Sequence, residues 1–229
     1  MDRPAVEVHP STGGLRGVAL FCHGGTATSE APPRDQALSL VRMRAIERFV
    51  RHAVGRRGIT TQLLRYRVAG WNGDAADPFV DVRWAIERIQ DELGGEVPIV
   101  LIGHSMGGRA VLRAGGDPQV AAVCALAPWT PPREPVAHLR GRTVTILHGR
   151  GDRWVPAHLS ADFALRAREA GARVARFTTV GGHSMLRRAD RWHSFVRDVV
   201  LGATGIEPIR ADIANALQRP VPEGLAVPL

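Results

Sequence analysis

The sequence predicts an α/β protein, a mostly parallel twisted sheet with helices on both faces. Three observations carry that expectation. Short apolar runs of strand length alternate with segments of helical periodicity from about residue 17 onward. The runs are continuously apolar, as strands covered on both faces must be. The chain, 229 residues and 45% hydrophobic, is long enough for one sizeable core.

Taken in order, one strand is expected near Val6 to His9. VALFC at 18–22 follows, and then a helix whose apolar stripe reads Leu38, Val41, Ala45, Phe49 and Ala53. TQLLRY at 61–66 precedes a helix carrying Phe79, Val82, Ile86, Ile89 and Leu93, spaced to cover one face. The unit recurs as VPIVLI at 97–102 with a helix after Ser105, and as VAAVCAL at 120–126. It recurs again as TVTILH at 143–148 with a helix near 158–170, and as RVARFTTV at 173–180 with a helix near 188–200. Residues 1–204 thus read as a single domain. Residues 205–229 read as an amphipathic helix opening at Pro208, with Ile209, Ile213 and Leu217 on one face, and a Pro-rich tail. The helix is expected to dock and the last residues to fray.

Composition excludes several classes. No stretch approaches the ~18–20 apolar residues of a membrane helix, and the start MDRPAVEVHPSTGG lacks a basic-then-apolar signal layout, so a cytoplasmic protein with no membrane partner is expected. Cys22 and Cys124 lie inside apolar strand-like runs and read as buried thiols, with no disulfide framework. The histidines show no metal-ligand spacing, and HGG lacks the glycine spacing of a nucleotide loop, so neither metal nor cofactor is expected. The net charge of +8 comes from 30 basic residues, all Arg, scattered over nearly every predicted helix. That distribution favours solvated faces over a nucleic-acid surface.

The chemistry concentrates on Gly103-His104-Ser105-Met106-Gly107. Alone, Gly-x-Ser-x-Gly is weak, since chance supplies it in about one chain in twelve of this composition. Its setting between a strand and a helix is specific. There the two glycines remove side chains that would collide across a tight turn, and the helix start supplies N–H groups and a positive dipole end. A serine needs a base, an orienting acid and oxyanion donors to act as a nucleophile. LHGRGDRWVP places Asp152 just beyond one strand and TTVGGHSML places His183 just beyond the last, both at the carboxyl edge where open α/β sheets bind ligands. His158 is the rival base. His23 and His104 read as positioning neighbours of these motifs.

With the order Ser105, Asp152, His183 and the early VALFCHGGTATS loop, the chain resembles the α/β-hydrolase superfamily over roughly residues 17–200. The resemblance implies that the backbone N–H groups of Gly25 and Met106 form an oxyanion hole, with Thr26 beside them to add a hydroxyl. Only 16 Pro-rich residues separate Leu126 from Thr143, where many relatives insert a helical lid. An open site is therefore expected, nearest to lidless small serine esterases and the dienelactone-hydrolase-like branch, although the latter carry Cys at the nucleophile. The family commonly has two strands where this chain has room for one before Val18, so a trimmed sheet edge is expected. Trp71, Trp129, Trp154 and Met185 are the candidate substrate-binding residues, Trp71 foremost. The resulting expectation is a serine hydrolase of small esters or thioesters whose partner is a small acyl substrate. An acyltransferase with the same triad, or a binding protein that keeps the fold without turnover, are the alternatives.

Overall fold

The computed structural model describes residues 3–94 and 97–229. Eight strands form one sheet in the order β1-β3-β2-β4-β5-β6-β7-β8. They are β1 (Ala5–His9), β2 (Gly17–Cys22), β3 (Ile59–Arg65), β4 (Ile99–His104), β5 (Val120–Leu126), β6 (Thr143–Gly149), β7 (Arg173–Thr179) and β8 (Val227–Pro228). The helices are α1 (Leu38–Val54), α2 (Asp77–Leu93), α3 (Met106–Ala114), α4 (Ala157–Glu169), α5 (Ala189–Ala203) and α6 (Ala211–Gln218).

Only β1 runs antiparallel to its neighbour; the other six pairings are parallel. Every residue of β2 and of β4 is buried, which accounts for their unbroken apolar runs. Side chains from α2, α3 and α4 share one core layer, and those from α1, α5 and α6 share the other. Parallel strands joined through helices bring all their carboxyl ends to one edge. The first residues after β2, β4, β6 and β7 therefore meet there. Among the described residues a single strand, β1, precedes β2, as expected where the family commonly has two.

Two expectations are corrected. The buried face of α1 is Leu40, Met43, Ile46, Glu47, Val50 and Val54, whereas Leu38, Val41, Ala45 and Phe49 of the expected stripe are exposed and Ala53 is half-buried. Glu47 interrupts the true stripe in the sequence. In the fold the Thr61 hydroxyl donates to its carboxylate at 2.5 Å and Arg51 lies 3.7 Å away, so the charge is accommodated at the sheet. The terminal residues, expected to fray, form β8 beside β7, and the Leu229 N–H donates to the Thr178 carbonyl at 2.8 Å. α6 does dock, but it begins at Ala211, after the expected opening at Pro208.

The segment between β5 and β6 holds one 3₁₀ turn, Ala137–Leu139, and no large lid. Glu134, buried in this segment, accepts from Arg109 Nε at 2.6 Å and Arg113 Nε at 2.8 Å, both on α3, and so clasps the loop to the sheet's helix layer. Among the described residues no helix is long and apolar enough to cross a membrane. Both cysteines are buried and free, and burial raises both thiol pKa values, Cys124 to about 12.

Because β8 closes one edge of the sheet, removal of residues 226–229 is expected to lower stability by about 1–3 kcal/mol. Urea denaturation measures this; an unchanged midpoint would show that the tail contributes nothing.

Candidate active site

Ser105 joins β4 to α3 with φ 56° and ψ −116°, a conformation that L-residues rarely adopt. Three backbone hydrogen bonds hold it. Its N–H donates to the Leu126 carbonyl at 3.0 Å, and its carbonyl accepts from Arg109 N–H at 3.1 Å and Trp129 N–H at 3.0 Å. Any side chain on Gly103 would fall on the Gly107 carbonyl, and any on Gly107 would fall on the Cys22 and His23 carbonyls. The two glycines thus let the corner close against the loop that leaves β2.

The Ser105 Oγ–H donates to His183 Nε2 at 2.8 Å, and His183 Nδ1–H donates to Asp152 Oδ2 at 2.7 Å. Asp152 is fully engaged. Its Oδ1 accepts from the backbone N–H groups of Trp154 and Val155, each at 2.9 Å, and its Oδ2 also accepts from His148 Nε2 at 3.2 Å. Burial opposes ionisation of this carboxyl, but the hydrogen bonds from His148, His183 and Val155 outweigh it and hold the pKa well below the ordinary carboxylate value. The rival base His158 sits in the first turn of α4 and does not line the cavity.

Sequence reading passed over His148 and its support. Its Nδ1 lies 2.8 Å from the Ser160 hydroxyl, which also accepts from Arg176 Nε at 2.9 Å. Arg176 further donates to the Leu225 carbonyl at 3.0 Å, so the acid's loop is tied through β7 to the C-terminal tail. The signal was faint: a histidine on the end of a strand, four residues before an aspartate.

The loop after β2 is zipped to residues 69–72. Thr26 N–H donates to Ala69 at 2.9 Å, Trp71 N–H to Thr26 at 3.0 Å, and Asn72 N–H to Ala27 at 3.0 Å. A side chain on Gly25 would collide with the Ala69 carbonyl and the Met106 thioether, so Gly25 and Met106 are in direct contact. Met106 opens α3, and its N–H has no acceptor within the helix. The Thr26 hydroxyl is directed to the Thr28 carbonyl at 3.2 Å and the Ala69 carbonyl at 3.4 Å; it braces this loop.

His23 Nδ1–H donates to the Gly24 carbonyl at 2.7 Å, and His104 Nε2–H donates to the His183 carbonyl at 3.0 Å. Burial drives the pKa of His23 down to about 4 and that of His104 down to about 3, so both are neutral hydrogen-bond donors. One fixes the loop that carries Gly25 and the other fixes the loop that carries His183.

Ser105 and His183 lie in a cavity of about 480 Å³ with mainly apolar walls. Gly25, Met106, Trp129 and Trp154 line it. Trp71 and Met185 do not: they are 2% and 1% exposed and belong to the two core layers. Arg109 lies over the Trp71 ring at 3.8 Å and over Trp129 at 4.7 Å, which makes Trp71 the base of a cation–π stack under the wall. Both residues occupy ligand-side loops in the sequence, but their loops fold back onto the core. Leu38, Val155 and Leu186 complete the mouth, with Arg42 beside them.

The chain belongs to the alpha/beta hydrolase family, whose model matches residues 19–227. Searching the curated proteins returns no match. Among solved structures it is similar to esterase 2 of Thermogutta terrifontis, with TM-score 0.67, 18% identity and coverage of 91% of this chain and 90% of that one. It is similar also to Est1E of Butyrivibrio proteoclasticus, solved with ferulic acid bound, with TM-score 0.64, 14% identity and coverage of 88% and 96%. A third is an α/β serine hydrolase without lid from Xanthomonas campestris, with TM-score 0.58, 16% identity and coverage of 89% and 88%.

Two predictions follow from the burial pattern. An imidazole whose pKa is depressed on folding binds fewer protons in the native than in the unfolded state below pH 6.5. Its stabilising contribution is therefore present above that value and lost as pH falls. As pH falls below 6.5, His23 and His104 should each add a loss of stability on the order of 1 kcal/mol per pH unit at the middle of the range between their unfolded and folded pKa values, and His104→Gln should flatten the slope in urea denaturation there. Trp71→Ala should destabilise by about 3 kcal/mol or more, whereas Trp154→Ala should stay within about 0.5 kcal/mol. Equal shifts in the two denaturation midpoints would contradict the packing assigned to Trp71.

Proposed function

We propose that this protein is a serine hydrolase that cleaves small carboxylic esters or thioesters through an acyl-enzyme. The observation that carries the reading is the unbroken hydrogen-bonded line from the Ser105 hydroxyl through His183 to the Asp152 carboxylate, at the floor of an open apolar cavity. Family membership supports the same class, and the esterases among its structural neighbours share its fold.

In this reading Ser105 Oγ attacks the acyl carbon while His183 Nε2 takes its proton. Asp152, held ionised by its four donors, stabilises the imidazolium that results. The carbonyl oxygen becomes an oxyanion and is met by the N–H groups of Gly25 and Met106. Collapse expels the leaving oxygen or sulfur, which receives the proton from His183. Water, deprotonated by the same imidazole, then attacks the acyl-serine and restores the hydroxyl. The cavity is not covered by a lid, and its apolar walls of Trp129, Trp154, Val155 and Leu186 suit a short acyl or ring group.

A fluorophosphonate should label the protein once, with the adduct mapping to Ser105. Ser105→Ala should lower kcat by about 10³-fold or more on short-chain aryl esters while leaving the denaturation midpoint nearly unchanged. Labelling at another residue, or none on folded protein, would refute the assignment.

A further inference from the structure

The cavity walls carry an imbalance of charge. Among the described residues that line it there is no Asp or Glu, and Arg42 of α1 is its one guanidinium. Other half-buried arginines have partners: Arg44, two positions further on the same helix, pairs with Glu7, and Arg109 and Arg113 share Glu134. Arg42 makes no hydrogen bond or ion pair among the described residues, although it is half-buried. Partial desolvation lowers its pKa from the ordinary value, with no carboxylate near enough to offset it.

Its surroundings add to the same sign. α1 has no acidic residue in its first turn, so the positive end of the helix dipole is left uncompensated one turn from Arg42. Gly24 lies between that end and the reacting serine: a side-chain carbon on Gly24 would lie 3.3 Å from Ser39 Cβ and 3.3 Å from Ser105 Cβ. The rest of the mouth is apolar, with Leu38 at 77%, Trp154 at 82% and Leu186 at 66% exposed around it. A neutral substrate seated here strips further water from the guanidinium and returns nothing to it. A substrate with an anionic group restores a charge-assisted, two-pronged contact.

We propose that Arg42 is a specificity residue that selects substrates carrying a carboxylate or comparable anion on the part of the molecule away from the scissile bond. This rests on the hydrolase reading of the Ser105 site and names its substrate class. The anion belongs either to the acyl group or to the leaving group, and matched esters separate the two.

The test compares kcat/KM of the full-length protein on phenyl butyrate, monophenyl succinate and 4-carboxyphenyl butyrate, for wild type, Arg42→Gln, Arg42→Lys and Arg48→Gln. Wild type should favour one of the two anionic esters over phenyl butyrate by about tenfold or more, and the favoured one locates the anion. Arg42→Gln should abolish that ratio and Arg42→Lys should retain part of it. Arg48→Gln, an exposed charge on the same helix, should leave it intact. A wild type with no preference for either anionic ester, or a ratio unmoved in Arg42→Gln, overturns the proposal. Calorimetric binding of succinanilic acid and of 4-butyramidobenzoic acid, each against butyranilide, provides a readout free of turnover. Should wild type hydrolyse none of the esters, tighter binding of either anionic anilide that is lost in Arg42→Gln still upholds Arg42, whereas equal binding of all three anilides sinks it.

Discussion

Ser105 is held in a backbone conformation that its side chain disfavours by about 1–3 kcal/mol, and much of the ligand-side edge is built around that constraint. The corner persists because three backbone hydrogen bonds, to β5 and from α3 and the loop after β5, over-determine it. It fits because Gly103 and Gly107 allow the chain to turn within contact of the carbonyls that end β2. The same closeness brings Gly25 against Met106, so that one local strain sets where the hydroxyl points and seats the loop after β2 on the start of α3.

Charge in the site is placed by hydrogen bonding and by burial acting in opposite senses. Asp152 is deeply placed yet kept ionised, because every lone-pair direction of its carboxylate meets a donor. The imidazoles of His23 and His104 are buried without an anionic partner and stay neutral, serving as rigid struts. Two histidines thus carry the same side chain as His183 but not its electrostatic surroundings. Of the histidines, His183 is the one that faces both the Asp152 carboxylate and the Ser105 hydroxyl. The Asp152 loop is in turn anchored through His148, Ser160 and Arg176 to the tail, which makes the turn Glu223–Leu225, just before the last strand, part of the support of the site.

The loop between β5 and β6 forms no lid; it lends the cavity the wall of Trp129. Glu134 is withdrawn from water and clasped by two α3 arginines, and one of these sits on Trp71 and Trp129. The stack spends the aromatic surface of Trp71 on structure, and leaves Trp129, Trp154 and Leu186 to face the cavity. Arg42, without a partner among the described residues, is then the feature that distinguishes this apolar mouth from a neutral one.

The sequence by itself determined the order of strands and helices, the parallel sheet, the serine corner and the strand-end positions of Asp152 and His183. All of these depend on local periodicity and on residue types that a tight turn or a buried strand demands. Val18 to Cys22 and Ile99 to Ile102 can only be strands covered on both faces, and Gly103-x-Ser105-x-Gly107 has one comfortable setting between them. Tertiary structure alone decided which of two apolar stripes on α1 faces the sheet, since the choice depends on Thr61 being present to satisfy Glu47. It likewise decided that residues 227–228 pair with β7, that Trp71 and Met185 turn inward, and that His148 joins Asp152. Each of these rests on a partner distant in the chain, and a side chain's surroundings are set by such partners rather than by its neighbours in sequence.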